Sequence, residues 1–205
     1  MKTAVRSYEQ LKKDLELKYE LPVSADWSAA ADFLYLLKEY VQALRPEYIV
    51  ECSSGVSSLI LGRCCQLNQR GRVISLENAE QYAQQTKENI SRFGLSGRVK
   101  VLHAPLETCK INNSEYQWYG LHQLPRNRID MLVIDGPPGF IQKNSRFPAL
   151  PLLYDLLADK SLVLLDDAAR DDEKEIVSLW LDQFPDIEHQ YINTERGCSV
   201  LKIHK

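Results

Sequence analysis

The stretch IEHQYINTERGCSVLKI (residues 187–203) contains two β-rich runs that are separated by only five residues, NTERG (193–197). A crossover between parallel strands needs a dozen or more residues, so this link is too short for one. The two runs, 187–192 and 198–203, therefore predict an antiparallel hairpin. A dinucleotide-binding sheet of the Rossmann type does not normally end in this way.

Upstream of this hairpin, β-rich runs alternate with segments of helical pattern. Such alternation indicates a doubly wound α/β fold with right-handed crossovers and helices on both faces of the sheet. Together with the hairpin, it predicts a mostly parallel seven-stranded sheet whose last strand is antiparallel. The first five predicted strands are 48–52, 72–77, 98–103, 129–135 and 161–166, and the predicted helices are 1–20, 28–44, 56–67, 79–93, 145–158 and 172–184.

The N-terminal segment is a charged amphipathic stretch that precedes the sheet. Its apolar stripe contains Tyr8, Leu11 and Leu15, and Pro22 ends the pattern. We predict an accessory helix in residues 1–26 and a single domain in residues 27–205. The helix either packs on the body of the domain or serves as a lid or dimer contact.

Charge and apolar patterning restrict the class of protein. The 205 residues include 25 basic and 28 acidic side chains, a net charge of −3, which does not suit a general nucleic-acid binder. The apolar runs are the length of strands, far below the roughly 20 residues that span a bilayer. The N-terminus shows no signal-peptide core, and the five cysteines show no metal or redox spacing. We expect a cytoplasmic protein without a membrane span, and the sequence leaves its oligomeric state open.

Ligands bind an open α/β sheet beyond the carboxyl ends of its strands, so the residues that follow each strand are the candidates for a site. ECSSGVSS (51–58) follows the first strand, where small residues permit close approach of a ligand to the backbone. Small turns also join many strands to helices without binding anything. Glu77 ends the second strand, where a carboxylate either accepts the two hydroxyls of a ribose or is simply solvated.

The later strand ends carry apolar and acidic groups. HAPL (103–106) offers a small apolar surface for a purine, and His103 is either a base or an ordinary histidine. Asp135 begins the stiff loop DGPPG (135–139), the rigid placement that a group facing a reacting centre needs. Asp166 and Asp167 end the fifth strand. Three carboxylates at one sheet edge repel one another and favour a cation such as Mg²⁺, although Asp167 could instead cap a turn.

Five segments, ECSSGVSS, SLE, HAPLE, VIDGPPG and LLDDAAR, occur in this order and together resemble class I S-adenosylmethionine-dependent methyltransferases. The resemblance covers about residues 27–205. It is strongest to small methyltransferases with a DGPPG loop and a later DDA-x-R segment, and more distant to catechol-type O-methyltransferases. It implies a Rossmann-like methyltransferase fold and methyl transfer from S-adenosylmethionine to a small-molecule acceptor, through a hydroxyl oxygen.

The resemblance also implies roles for individual residues. The loop after the first strand would bind the methionine end of the cofactor, Glu77 the ribose, and residues 104–106 the adenine. The family loop usually reads E-x-G-S-G, so Ser53 stands at an expected glycine, where its side chain crowds the cofactor or shifts the backbone. The predicted cofactor-binding residues are Glu51, Ser53, Ser54, Gly55, Ser57, Glu77, Asn78, Ala104, Pro105, Leu106 and Asp135.

Residues for catalysis and acceptor binding follow from the same comparison. In metal-dependent relatives, acids at the positions of Asp135, Asp166 and Asp167 hold Mg²⁺, although the last is usually Asn. Arg146 is a candidate contact for an anionic acceptor. We expect the loop with Trp118 and Tyr119, together with the N-terminal helices, to determine acceptor specificity. The candidate catalytic residues are Asp135, His103 and Lys143.

Two other classes of function compete with methyl transfer. A non-catalytic domain of the same fold would bind a nucleoside ligand or a protein partner, and the unusual Ser53 keeps this alternative open. A nicotinamide-dependent reductase would need G-x-G-x-x-G after the first strand, and the chain lacks that motif.

Overall fold

A computed structural model describes residues 6–24 and 27–205 of the chain. The elements below are numbered in chain order. The helices are α1 (Tyr8–Asp14), α2 (Ala31–Leu44), α3 (Val56–Leu67), α4 (Glu80–Arg92), α5 (Ala149–Leu153) and α6 (Asp171–Gln183). The strands are β1 (Tyr48–Cys52), β2 (Arg72–Glu77), β3 (Val99–His103), β4 (Leu106–Ile111), β5 (Ser114–Tyr119), β6 (Ile129–Ile134), β7 (Leu157–Leu165), β8 (Glu188–Ile192) and β9 (Cys198–His204).

A seven-stranded sheet with the order β3-β2-β1-β6-β7-β9-β8 forms the centre of the fold. Neighbouring strands from β3 to β7 pair in parallel, whereas β9 pairs antiparallel with both β7 and β8. The predicted mostly parallel sheet with an antiparallel last strand is therefore confirmed, and the NTERG link forms the β8–β9 hairpin as expected.

Apolar side chains are buried on both faces of this sheet, as expected where helices cover each face. On one face, Ile49, Val73 and Met131 pack with α1 to α4. On the other face, their neighbours Val50 and Leu132 pack with β5, α5 and α6. Because each fully buried Leu, Ile or Val contributes about 1.5–3 kcal/mol, these layers hold the strand ends of the site in fixed positions.

A hairpin of β4 and β5 occupies the segment between β3 and β6, for which the sequence predicted only irregular structure. Its turn contains Asn112 and Asn113 at φ +49° and +67°. Two consecutive positive φ angles are typical of the tight turns that match the twist of paired strands, and asparagine adopts them readily. Leu106 pairs with Tyr119 at the open end of the hairpin.

Two predicted helices are longer than the ones that form. The predicted helix 145–158 reduces to α5 and one 3-10 turn, because Pro148 and Pro151 cannot donate the backbone hydrogen bonds of a longer helix, and β7 begins at Leu157. In the part of the predicted helix 1–20 that the structure describes, residues 6–20, only α1 forms, since Glu16 adopts φ +49°.

The N-terminal segment packs on α2 and α3 through Leu11 and Leu15, which are fully buried. Residues 1–5, and residues 25–26 at the predicted boundary, lie outside the described residues. The division into residues 1–26 and 27–205 stays a prediction. Within the ranges that the structure describes, no helix has the length and apolar character needed to cross a membrane.

Candidate active site

The carboxyl ends of β1, β2, β6 and β7 open into a cleft with a volume of about 1020 Å³. The turn after β1 forms one wall. Gly55 caps α3, and its N–H donates to Oγ of Ser58 at 3.1 Å. Ser53 adopts φ +142°, in the region that favours glycine, and its buried Oγ has no hydrogen-bond partner among the described residues. The backbone therefore keeps a glycine-like conformation, although the residue is serine.

Glu51 lies behind this turn and not in the cleft. Its side chain is fully buried, and Oε2 accepts hydrogen bonds from Oγ of Ser58 at 2.5 Å and of Ser75 at 2.6 Å. Burial raises the pKa of Glu51 to about 7 despite these donors. Glu51 thus supports the turn from the side that faces away from the cleft.

Glu77 projects from the end of β2 into the cleft, where two neighbours hold its carboxylate. Oε2 accepts a hydrogen bond from Oγ of Ser54 at 2.9 Å, and Oε1 accepts one from the N–H of Ala79 at 3.0 Å. Burial raises the pKa of Glu77. The carboxylate is thus fixed at the cleft wall, and each of its oxygens has remaining acceptor capacity for a ligand hydroxyl.

Asp135 follows β6 and stands between the two halves of the cleft. Its N–H donates to the carbonyl of Cys52 at 3.1 Å, which anchors the loop to β1. A side chain at Gly136 would collide with the hydroxyl of Tyr119, so the glycine permits the close approach of this buried ring to the loop. Burial raises the pKa of Asp135 to about 6, although Arg146 acts in the opposite direction.

Arg146 is buried among acids rather than open to an acceptor. Its Nη2 lies 2.9 Å from Oδ2 of Asp167 and 3.5 Å from Oδ1 of Asp135, and its Nη1 donates to the carbonyl of Asp166 at 2.9 Å. Burial opposes the charge of Arg146, but the surrounding acids outweigh it and raise its pKa. Arg170 adds a second cation, 2.9 Å from Oδ2 of Asp167.

The three predicted metal ligands do lie together. One carboxylate oxygen from each of Asp135, Asp166 and Asp167 falls within 4.8 Å of the others. Both carboxylate oxygens of Asp166 and Oδ1 of Asp167 are buried without a hydrogen-bond partner in the described ranges. Burial, followed by the neighbouring Asp135, raises the pKa of Asp166 well above its usual range. Unpartnered oxygens of this kind fit a hard divalent cation such as Mg²⁺.

Aromatic side chains surround the mouth of the cleft. Trp27, Tyr82 and Phe140 are 58%, 44% and 79% exposed, and the ring of Trp27 lies 6.3 Å from each of the other two. Sequence reasoning missed these residues and chose Trp118 and Tyr119 instead. Those two rings are 1% and 3% exposed. Both rings belong to the core, and Tyr119 also reaches the cleft wall.

The structure brings together about half of the predicted site residues. His103 lies in a separate shallow depression beside Lys87, and Lys143 is exposed, with Nζ 2.8 Å from Oε2 of Glu175. Glu51, Asp166 and residues 104–106 are also absent from the described lining of the cleft. Positions outside the cleft give no support to catalysis by His103 or Lys143. The predicted residues that do line it are Ser53, Ser54, Gly55, Ser57, Glu77, Asn78, Asp135, Arg146 and Asp167.

Comparison with known proteins adds a family and a fold. Residues 50–168 match the sequence model of a protein family that is described as a methyltransferase domain. No curated protein sequence matches the chain. Solved structures of similar fold cover nearly all of it. One is an O-methyltransferase from Bacillus cereus in complex with SAH, with 17% sequence identity and a TM-score of 0.68 over 96% of this chain and 90% of that chain. Another is the SAH-bound methyltransferase PaMTH1 from Podospora anserina, with 14% identity and a TM-score of 0.68 over 97% of this chain and 88% of that chain. A third is the O-methyltransferase TomG from Streptomyces achromogenes, involved in tomaymycin synthesis and in complex with SAM, with 15% identity and a TM-score of 0.66 over 96% of this chain and 87% of that chain. The predicted Rossmann-like methyltransferase fold is thereby confirmed.

Proposed function

Because this chain belongs to the methyltransferase-domain family, we propose that it transfers a methyl group from S-adenosylmethionine to a hydroxyl oxygen of a small-molecule acceptor. The observation that carries the proposal is the carboxylate of Glu77, held by Ser54 and Ala79 at the wall of the cleft. A fixed acceptor of two hydrogen bonds at this strand end suits the paired hydroxyls of a ribose. The turn at residues 53–55 lies beside it and leaves room for the methionine end of the cofactor.

The sheet order separates the cleft into two halves. Glu77 and the turn after β1 form the cofactor half, and the ends of β6, β7 and the β8–β9 link form the acceptor half. Asp135 lies at the junction, where the two ligands would meet. When bound, S-adenosylmethionine supplies a methyl group that its sulfonium has already activated, so the protein mainly aligns the reactants and accepts a proton.

In the absence of a metal, we assign the proton-accepting role to Asp135. Its pKa of about 6 lies closer to neutral pH than that of an ordinary aspartate, and a base is most effective when its pKa is near the working pH. The Arg146 guanidinium keeps this carboxylate in one orientation. The positions of His103 and Lys143 favour neither residue as an alternative base.

A magnesium ion fits the acidic cluster and is part of the proposal. Asp135, Asp166 and Asp167 would hold it, and Asp135 would then be a metal ligand instead of the proton acceptor. A bound Mg²⁺ would lower the pKa of an acceptor hydroxyl. Cytoplasmic localisation also stays a proposal. It is supported by the five unpaired cysteines, of which Cys109 alone is half-buried and the others are buried.

Calorimetric titration with S-adenosylhomocysteine tests the proposed function, followed by transfer of labelled methyl groups to a panel of hydroxylated acceptors. We expect saturable binding and transfer to at least one member of the panel. Absence of binding at millimolar ligand would contradict the proposal. Binding without transfer to any acceptor would favour the non-catalytic alternative, for which the strained Ser53 is the supporting observation.

A further inference from the structure

Within residues 6–24 and 27–205, Arg196 is the one cleft-lining arginine that forms no ion pair with an acid. Arg146 and Arg170 line the same cleft, and each lies 2.9 Å from Oδ2 of Asp167. Arg196 donates one hydrogen bond, from Nη1 to the carbonyl of Ser28 at 3.3 Å. Within the described ranges, no carboxylate oxygen lies within 4.0 Å of its side-chain nitrogens. Among the residues that the structure describes, most of its five N–H donors have no partner and can therefore bind a ligand.

The backbone fixes Arg196 at the edge of the cleft. The N–H of Ala169 donates to the carbonyl of Arg196 at 3.0 Å, and the N–H of Ala168 donates to that of Gly197 at 3.0 Å. Gly197 adopts φ +75°, and a side chain there would collide with the N–H of Ala169. The β8–β9 link is thus held against the segment that follows Asp167. A half-buried guanidinium on a fixed loop is preorganised for a ligand.

The sheet order places Arg196 on the acceptor half of the cleft. It lies two residues before Cys198, the first residue of β9, whereas Glu77 ends β2, four strand positions away. At about 4.8 Å per strand, this separation is roughly 19 Å. Asp135, at the junction of the two halves, lies between them. A cofactor with its ribose at Glu77 therefore leaves Arg196 for the second ligand.

We infer that Arg196 binds an anionic group of the methyl acceptor, a carboxylate or a phosphate. Its planar fork of donors matches such groups in a bidentate manner. Asp167 and Glu173, which line the same cleft, are already paired with Arg146 and Arg170. This inference rests on the proposed function. It also transfers to Arg196 the anion-binding role that the sequence gave to Arg146.

The aromatic mouth of the cleft guides the choice of probe. Trp27 precedes Ser28, whose carbonyl accepts a hydrogen bond from Arg196, so an aromatic surface and a guanidinium lie close together. A planar ligand with one negative charge uses both features. We therefore choose 4-hydroxybenzoate, its phosphate counterpart 4-hydroxyphenyl phosphate, and the neutral amide 4-hydroxybenzamide.

The experiment is a calorimetric titration of these three probes, with and without saturating S-adenosylhomocysteine. The wild type is expected to prefer an anionic probe to the amide by about 10- to 100-fold, the range for hydrogen bonds to a charged group. Arg196→Gln should abolish the preference. Arg126→Gln, which removes an exposed arginine outside the described lining, should retain it. Tighter binding of the phosphate than of the carboxylate identifies the phosphate as the anionic group.

Three results would overturn the inference: equal binding of anion and amide, absence of binding of both anions, or an unchanged preference in Arg196→Gln. Titration of S-adenosylhomocysteine into the same proteins separates this result from the proposed function. If the wild type does not bind it, the proposed function fails, and the titrations without it still report on Arg196. If Arg196→Gln weakens the binding of S-adenosylhomocysteine and leaves the preference for the anionic probe intact, Arg196 binds the cofactor and the inference is wrong.

Discussion

The Nη2 atom of Arg146 lies 2.9 Å from Oδ2 of Asp167, and both side chains are almost completely buried, at 3% and 5% exposure. The same guanidinium donates to the carbonyls of Asp135 and Asp166. It therefore joins the loop after β6 to the end of β7. One side chain fixes both strand ends of the acceptor half of the cleft.

Replacement of this arginine should strongly destabilise the fold. In Arg146→Met, the carboxylates of Asp135, Asp167 and Glu173 lose a buried partner, and breaking buried pairs costs about 3–5 kcal/mol. Urea unfolding measures the loss, and exposed Arg126→Met should change the free energy of unfolding by about 0.5 kcal/mol or less. Equal stability of Arg146→Met and the wild type would show that the acids are protonated in the folded protein.

Glu77→Ala should weaken S-adenosylhomocysteine binding by about 1–3 kcal/mol, because hydrogen bonds to a charged acceptor are lost. Calorimetry on the two proteins measures the difference. Glu88→Ala, on the exposed face of α4, removes an equal charge and should bind as the wild type does. Equal affinity of Glu77→Ala and the wild type would remove Glu77 from the site.

The strand ends were predictable because they depend on local order. Asp135 and Glu77 each end a short apolar run, and parallel strands bring such ends to one edge of the sheet. The surroundings of Arg146 were not predictable in this way. Its partners lie 11 and 21 residues away along the chain, and a lone arginine in a mixed segment gives no sign of burial.

The positions of the aromatic residues also depend on tertiary structure and were not predictable from the sequence alone. Trp118 was predicted to contact an acceptor because it belongs to an aromatic segment, but it is buried in the core at the end of β5. Recognition of the turn at Asn112 and Asn113 would have revealed the hairpin. Trp27 and Phe140 lie far apart in sequence, and tertiary folding alone brings their rings to 6.3 Å.

Glu51 should make stability fall as the pH rises. Its folded carboxyl keeps its proton up to about pH 7, whereas the unfolded chain releases it near the ordinary value of 4.5. Unfolding therefore releases a proton between these values, and the stability that Glu51 contributes falls by about 3 kcal/mol across that window. Glu51→Gln keeps an acceptor for Ser58 and Ser75 and should flatten the curve. Urea unfolding at pH 5, 6, 7 and 8 measures this, and parallel curves for the two proteins would contradict the prediction.

Ser53→Gly should stabilise the protein. Relief of a φ of +142° recovers about 1–3 kcal/mol, and the added freedom of glycine in the unfolded chain offsets about 0.4–1 kcal/mol of that. Thermal unfolding measures the net gain in stability. Ser96→Gly, in an exposed turn, relieves no strain and should show only the loss of stability that the added freedom of glycine in the unfolded chain causes. Calorimetry on Ser53→Gly should also show equal or tighter binding of S-adenosylhomocysteine. A lower melting temperature for Ser53→Gly would mean that the serine stabilises this turn.

Mg²⁺ should raise the melting temperature through Asp135, Asp166 and Asp167. A ligand at 100 times its dissociation constant stabilises a fold by about 2.7 kcal/mol, which corresponds to several degrees for a chain of this size. Asp166→Asn should remove most of the increase in melting temperature, because the substitution removes the carboxylate whose two oxygens have no other partner among the described residues. Asp167→Asn recreates the ligand set of the metal-dependent relatives and should retain the increase in melting temperature. The exposed control Asp186→Asn should retain the increase as well. EDTA should reverse the effect in each responsive protein. A wild type whose melting temperature does not respond to Mg²⁺ would leave Arg146 and Arg170 as the cations that balance this cluster, and Asp135 would then accept the proton without a metal.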